Sequence, residues 1–301
     1  MDQSRAIRKV FKSRPTLEGA GVHLKRAFGF SQAPLFDPFL LLDDFRGDHP
    51  DDYLAGFPWH PHRGIETITY ILNGEVEHGD SLGNRGVIGV GDVQWMTAGS
   101  GIIHQEMPRG DARGKMGGFQ LWANLPRIQK MTSPRYRELK REQIPVVHYG
   151  PASIRIISGE VKGTRGPVGE IFIDPEYLDI DLPPGSELTH PTRPNHTVFA
   201  YVIDGSGVFA ETNPFHPPEY EGVNYFDMFA EPLARNGTLI LFAPGEQIRV
   251  STTDEGVRFL LVSGKPLGEP VAWAGPIVMN TQEELDIAFS EYRAGTFIKH
   301  S

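Results

Sequence analysis

Apolar positions along this chain come in short bursts divided by glycine and proline. The bursts are rich in β-branched and aromatic residues: "IETITYIL" (65–72), "FQLWANL" (119–125), "TVFAYVI" (197–203), "GTLILFA" (237–243) and "VRFLLVS" (257–263). Runs of this kind predict strands, and 34 Gly with 25 Pro leave little room for helices. Turns are expected at Asn73-Gly74, Asp204-Gly205 and Pro244-Gly245, a spacing that suits antiparallel sandwiches or small barrels better than a parallel sheet with crossover helices. One segment breaks the pattern. "TQEELDIAFSEY" offers Thr281 as an N-cap, Glu284 to complete a capping box, and Leu285, Ala288, Phe289 and Tyr292 at helical spacing. It predicts a C-terminal amphipathic helix whose apolar stripe docks on its own chain.

The bursts also repeat. "TITYILNGEVEHGD" followed by "GVIGVGDVQWM" is echoed by "TVFAYVIDGSGVFA" followed by "GTLILFAPGEQIRV": strand, turn, strand, then a strand entering a Gly-acid turn. The fold class expected is therefore all-β, two antiparallel β-barrels in tandem with a C-terminal α-helix. The expected division is 1–130, a linker at 131–145, and 146–301. The segment "PRIQKMTSPRYRELKREQIP" reads as that linker with one helical turn, its Arg and Lys forming a solvated face interleaved with Glu138 and Glu142.

Composition narrows the function. A chain of 301 residues with 39% hydrophobic residues fills a substantial core. The opening "MDQSRAIRKVFKSR" is too charged for a secretory signal and no apolar run is long enough to span a bilayer, so a soluble cytoplasmic protein is expected, with no membrane partner. Cysteine is absent, so any metal must be held by His, Asp, Glu or backbone oxygen. A formal charge of −9 opposes binding to nucleic acid.

The chemistry concentrates in "HPHRGIETITYILNGEVEHGD" and "GDVQWMTAGSGIIHQEMP". Residues i and i+2 of a strand share a face, so His60 and His62 project together, as do His104 and Glu106. Three imidazoles and a carboxylate suit a divalent first-row metal and, in six-coordination, leave two positions open for water, oxygen or substrate. Because imidazoles must be neutral to ligate, occupancy should fall as pH drops through the histidine range near ~6.5.

These stretches, with "DPFLLLDDF", "KMTSPRY" and "GPIVMNT", resemble the pirin family of the cupin superfamily from about residue 20 to the C-terminal helix. The resemblance implies a bicupin of jelly-roll barrels with one metal per chain, usually iron, in the N-terminal barrel, its ligands falling on His60, His62, His104 and Glu106. Fe(II) is the metal expected, with Mn, Co, Ni, Cu or Zn as alternatives. Glu66 competes for the ligand position, because cupins at large place a glutamate a few residues after the second histidine; otherwise it serves as an orienting hydrogen-bond partner of an imidazole. The second half departs from the pattern. With Gly74 aligned to Gly205, the positions of His60 and His62 hold Pro191 and Arg193, and no histidine stands between His216 and His300. A metal-free second barrel is expected, with His190 and His196 at a surface or interface.

Trp95, Met96, Gln120 and Trp122 are expected to line or back the metal-bearing barrel, whose mouth would suit a flat aromatic ligand. The resemblance implies two functions. One is a quercetin 2,3-dioxygenase type of enzyme, cleaving a flavonol-like substrate with molecular oxygen, with Glu106 as the base. The other is a non-enzymatic regulator whose bound iron controls binding of a protein partner.

Overall fold

The computed structural model describes residues 4–210, 218–222 and 233–300. Its elements are strands throughout, apart from single turns of helix and one C-terminal helix, Gln282–Arg293. Two compact units form, and each draws on both ends of the chain. One unit holds residues 15–141 and 267–301; the other holds 1–14 and 142–266.

In the unit that carries the HPH motif, a seven-stranded sheet runs in the order Arg135–Leu139, Val93–Thr97, Ile65–Asn73, Gly117–Asn124, Phe39–Asp44, Val22–Phe28, Arg14–Glu18. A four-stranded sheet in the order Phe57–His62, Ile102–Arg109, Glu75–Asp80, Arg85–Ile88 covers it. Apolar contacts close both ends of the space between them: Val22, Phe45, Ile71, Val76 and Ile88 at one, Leu40, Ile65, Met96, Ile102 and Val278 at the other. The segment "IETITYIL" lacks a clean polar face because the strand is buried from Ile65 to Ile71. Thr67 and Thr69 face the inter-sheet space while Ile68 and Tyr70 face away.

The other unit is built on an eleven-stranded sheet. Ile154, Ile180, Val202 and Phe259 are among its fully buried core residues. Among the described residues its pairing is antiparallel except for the short Lys9–Phe11 run against Glu219–Glu221 and isolated bridges from Ser4 to Gln247 and from Ser158 to Val168. Asp204-Gly205, expected as a turn, lies inside one strand, Thr197–Val208. There the register slips between Val202 and Asp204, and Gly205 takes φ +66, so the strand bends at a bulge instead of reversing.

The expected domain division differs from the units in two ways. Ile7–Lys12 pairs antiparallel with Thr238–Phe242, which places the first residues in the second unit. Residues 267–301 join the first, because Leu285 and Ala288 of the terminal helix pack with Ile277, Met279 and Phe297, and Ile103 of the four-stranded sheet closes the same cluster. The segment read as a linker is largely structured. Arg135–Leu139 pairs with Val93–Thr97 as an edge strand, flanked by single 3-10 turns at Arg127–Gln129 and Arg141–Gln143. The helix itself forms as expected: Thr281 accepts from Glu284 N at 3.2 Å and Glu284 Oε2 accepts from Thr281 N at 3.0 Å, a complete capping box. Among the described residues no helix is long and apolar enough to cross a membrane.

Candidate metal centre

His60 and His62 end one strand of the four-stranded sheet, and His104 lies directly opposite His60 on the next. The rings meet: centroids are 4.8 Å apart for His60 and His62, 4.4 Å for His60 and His104, and 5.0 Å for His62 and His104. One ring nitrogen from each lies within 4.8 Å of the others.

The tautomers follow from the partners. His60 Nδ1 lies 2.8 Å from Pro58 O and His62 Nδ1 lies 3.0 Å from Pro276 O. A carbonyl oxygen only accepts, so both protons sit on Nδ1, and in neutral rings the two Nε2 atoms present lone pairs. Those atoms are 3.0 Å apart. Two facing lone pairs at that separation repel each other unless a cation lies between them. His104 is 1% exposed and both of its ring nitrogens are buried without a hydrogen-bond partner. Burial pushes His62 and His104 well below the ordinary imidazole range, and neighbouring imidazoles add to the effect. Neither of these two rings needs deprotonating at the pH expected from the sequence. The donor set fits a transition metal by chemistry and by unsatisfied valence alike.

Glu106 stands apart from this triad. The register slips between His104 and Glu106, and the carboxylate is buried between the sheets. Oε1 accepts from Thr69 Oγ1 at 2.9 Å, and Oε2 accepts from Gln120 Nε2 at 3.0 Å. Gln120 is fixed in turn by Trp122, whose Nε1 donates to Gln120 Oε1 at 2.9 Å. Each carboxylate oxygen retains a lone pair after these bonds. Glu66 is elsewhere: its Oε1 accepts from Thr97 Oγ1 at 2.6 Å, and burial pushes its carboxyl up. The imidazoles it was expected to orient are held by backbone carbonyls instead.

A cavity of about 670 Å³ opens on the centre. His60, His62, Gln120 and Trp122 line it, with Trp59 and Trp273 completing an aromatic wall. Trp122 meets His62 edge-on at 5.1 Å and Trp273 at 5.9 Å. Trp59 remains 52% exposed. Trp95 and Met96, the other two pocket candidates, are not on this wall. Trp95 is fully buried on the opposite face of its strand from Met96, and Met96 packs with Ile65 and Ile102 behind Trp122. Trp273 and Pro276 could not be associated with the HPH motif from sequence, since more than two hundred residues intervene.

His190 and His196 are buried rather than at a surface. His190 Nε2 bonds Glu176 Oε1 at 3.0 Å, while His196 Nδ1 is buried without a partner. Burial, with Arg193 nearby, pushes His196 down to about 4. Among the described residues, the His60, His62 and His104 group is the metal-type cluster found.

The pirin family profile matches residues 21–123, and the profile of the pirin C-terminal cupin domain matches 177–298. A Pirin-like protein of Caulobacter vibrioides is 42% identical over 295 residues, covering 97% of this chain and 99% of the relative. The chain belongs to the pirin family. Like other pirins it is a bicupin, and metal binding is typical of the family. The crystal structure of a quercetin 2,3-dioxygenase from Acinetobacter baumannii superposes with a TM-score of 0.83 at 29% identity, covering 98% of both chains. A bacterial pirin from Escherichia coli in complex with nickel(II) shares the fold at 19% identity, with a TM-score of 0.60 over 85% of this pirin and 98% of that chain.

Proposed function

We propose that this pirin is a metal-dependent dioxygenase of the quercetin 2,3-dioxygenase type, acting on a flavonol-like aromatic substrate with molecular oxygen. The observation that carries the reading is the convergence of three imidazoles, of which His60 and His62 line a cavity of about 670 Å³ flanked by Trp59, Trp122 and Trp273. Similarity to the Acinetobacter baumannii quercetin 2,3-dioxygenase supports it. His60, His62, His104 and Glu106 would hold the ion, with Fe(II) the first candidate. When bound, the metal would act as a Lewis acid toward the substrate's 3-oxygen and supply the redox chemistry for oxygen.

The chain's own residues do the rest. The tryptophans hold the flat rings and exclude water. Glu106 accepts the hydroxyl proton at a carboxylate oxygen, and the Thr69 and Gln120 bonds keep that oxygen aimed between the sheets. Trp122, by fixing Gln120, links the ring-binding wall to the base.

The test is oxygen uptake and loss of the flavonol's visible absorption when metal-loaded protein meets quercetin. Glu106→Gln should retain part of the metal and lose turnover by ~100-fold or more, the scale of a removed general base. Glu66→Gln should do far less. Full metal occupancy without oxygen uptake on any flavonol or catechol, together with metal-dependent capture of a protein partner, would replace the enzymatic reading with the regulatory one.

A further inference from the structure

The cavity carries a second polar group that this chemistry does not use. Glu18, Arg26 and Asp43 line it together with His60 and His62. Arg26 clamps Asp43 through Nε to Oδ1 and Nη2 to Oδ2, each 2.8 Å, and Nη2 also reaches Glu18 Oε1 at 2.9 Å. Among the described residues Nη1 has no partner. The cluster continues a row across the seven-stranded sheet: Arg26 pairs with Asp43, and Asp43 with Gln120, so all three share the face that looks into the cavity.

An ion pair that only neutralised a buried carboxylate would be complete with Arg26 and Asp43. Glu18 adds a second carboxylate, and the wall is left with one cation against two anions beside an array of aromatic rings. Such a wall offers acceptors at Glu18 and Asp43 and a donor at Nη1. A hydroxyl group, which donates and accepts at once, matches it. A carboxylate or sulfate brings only acceptors and meets two negative charges; an ammonium meets the guanidinium.

We propose that Glu18, Arg26 and Asp43 form a hydroxyl-reading subsite that selects neutral polyphenols, engaging the outer-ring hydroxyls of a substrate whose reacting end lies at the imidazoles, and that rejects anionic analogues. This rests on the flavonol reading above and adds the discrimination within that class. The volume of the cavity, within the ~300–1,000 Å³ span of small-molecule sites, holds such a molecule whole.

The experiment measures binding to metal-loaded protein by quenching of tryptophan fluorescence, with three probes: quercetin, the flavonol lacking both outer-ring hydroxyls, and quercetin bearing a sulfate ester on that ring. Wild-type protein should bind quercetin ~10-fold more tightly than either of the others, the effect of one charge-assisted hydrogen bond. Glu18→Lys, at a partly exposed position, turns the surplus charge positive and should bring the sulfate level with quercetin or ahead of it at low salt. The paired change Arg26→Gln with Asp43→Asn leaves no buried charge alone and should reduce the preference for quercetin over the dehydroxylated flavonol to within ~2-fold. Wild-type preferences that persist in both variants overturn the subsite. Equal binding of quercetin and the dehydroxylated flavonol by wild-type protein overturns it too while leaving the flavonol reading intact; failure to bind any of the three removes both.

Discussion

His62 is held at Nδ1 by Pro276 O, which leaves its Nε2 facing His60 Nε2 at 3.0 Å. Replacing it by Ala should remove most of the bound metal, measured as metal per chain after desalting, whereas His196→Ala should leave the stoichiometry unchanged because that ring lies in the other unit. Retention of metal by the His62 variant would remove it from the ligand set. At this scale the sequence was readable where one strand carries the argument: His60 with His62 sit on one strand, and their two-residue spacing says that they converge. Strand parity cannot be extended from His62 to Glu66, since the strand breaks after His62. Gly64 takes φ +78 and Glu66 belongs to a new strand in the other sheet, so face alternation does not carry across. Nor could spacing announce that Thr69 and Gln120 would grip Glu106, because a hydrogen bond between sheets has no local signature.

The element that ties the centre together is the segment from Trp273 to Phe297. Lys130 is buried with Nζ donating to Gly64 O at 2.7 Å, to Val278 O at 2.9 Å and to Asn124 Oδ1, while desolvation pushes the ammonium down to about 7. Arg63, next to the HPH motif, donates to Ser100 O and Phe297 O and pairs with Glu291 of the helix at 2.8 Å. Between them Gly64 runs against Val278, so close that an added Cβ would lie 2.0 Å from Val278 O. Gly64→Ala should therefore cost on the order of 2–4 kcal/mol, through a left-handed backbone plus a displaced strand, and should weaken metal binding by moving Pro276. Gly83→Ala, at φ +86 with nothing within 4 Å, should cost only about 1–2 kcal/mol and leave metal binding alone. Denaturant midpoints and metal content check both. The helix was legible because its capping box is local; its docking partner was not, since Ile103, Ile277 and Leu285 meet only through the tertiary fold.

The repeat disclosed two β units but not which residues complete each. A fragment of residues 1–141 lacks Trp273 and Pro276 and should fail to retain metal, even though it contains all four proposed ligands; a fragment that binds metal as the full chain does would show the C-terminal segment to be dispensable. Acid stability carries a separate mark. His196 has a folded value of about 4 against an ordinary 6.5, so between these pH values the unfolded chain holds a proton that the folded chain refuses. Stability should fall as pH drops from about 6.5 to about 4, by on the order of 2–3 kcal/mol, and then level off with respect to this group. His196→Gln should flatten that limb of a urea-midpoint profile. The crossed assignment of the chain ends also orders events during synthesis. When the ribosome has made the HPH motif and His104, the carbonyl of Pro276 that fixes His62 has yet to be synthesised, more than a hundred and fifty residues further along the chain. On the proposed ligand set, metal capture should therefore wait for the segment around Pro276 to emerge, and a chain cut short before it should hold no metal.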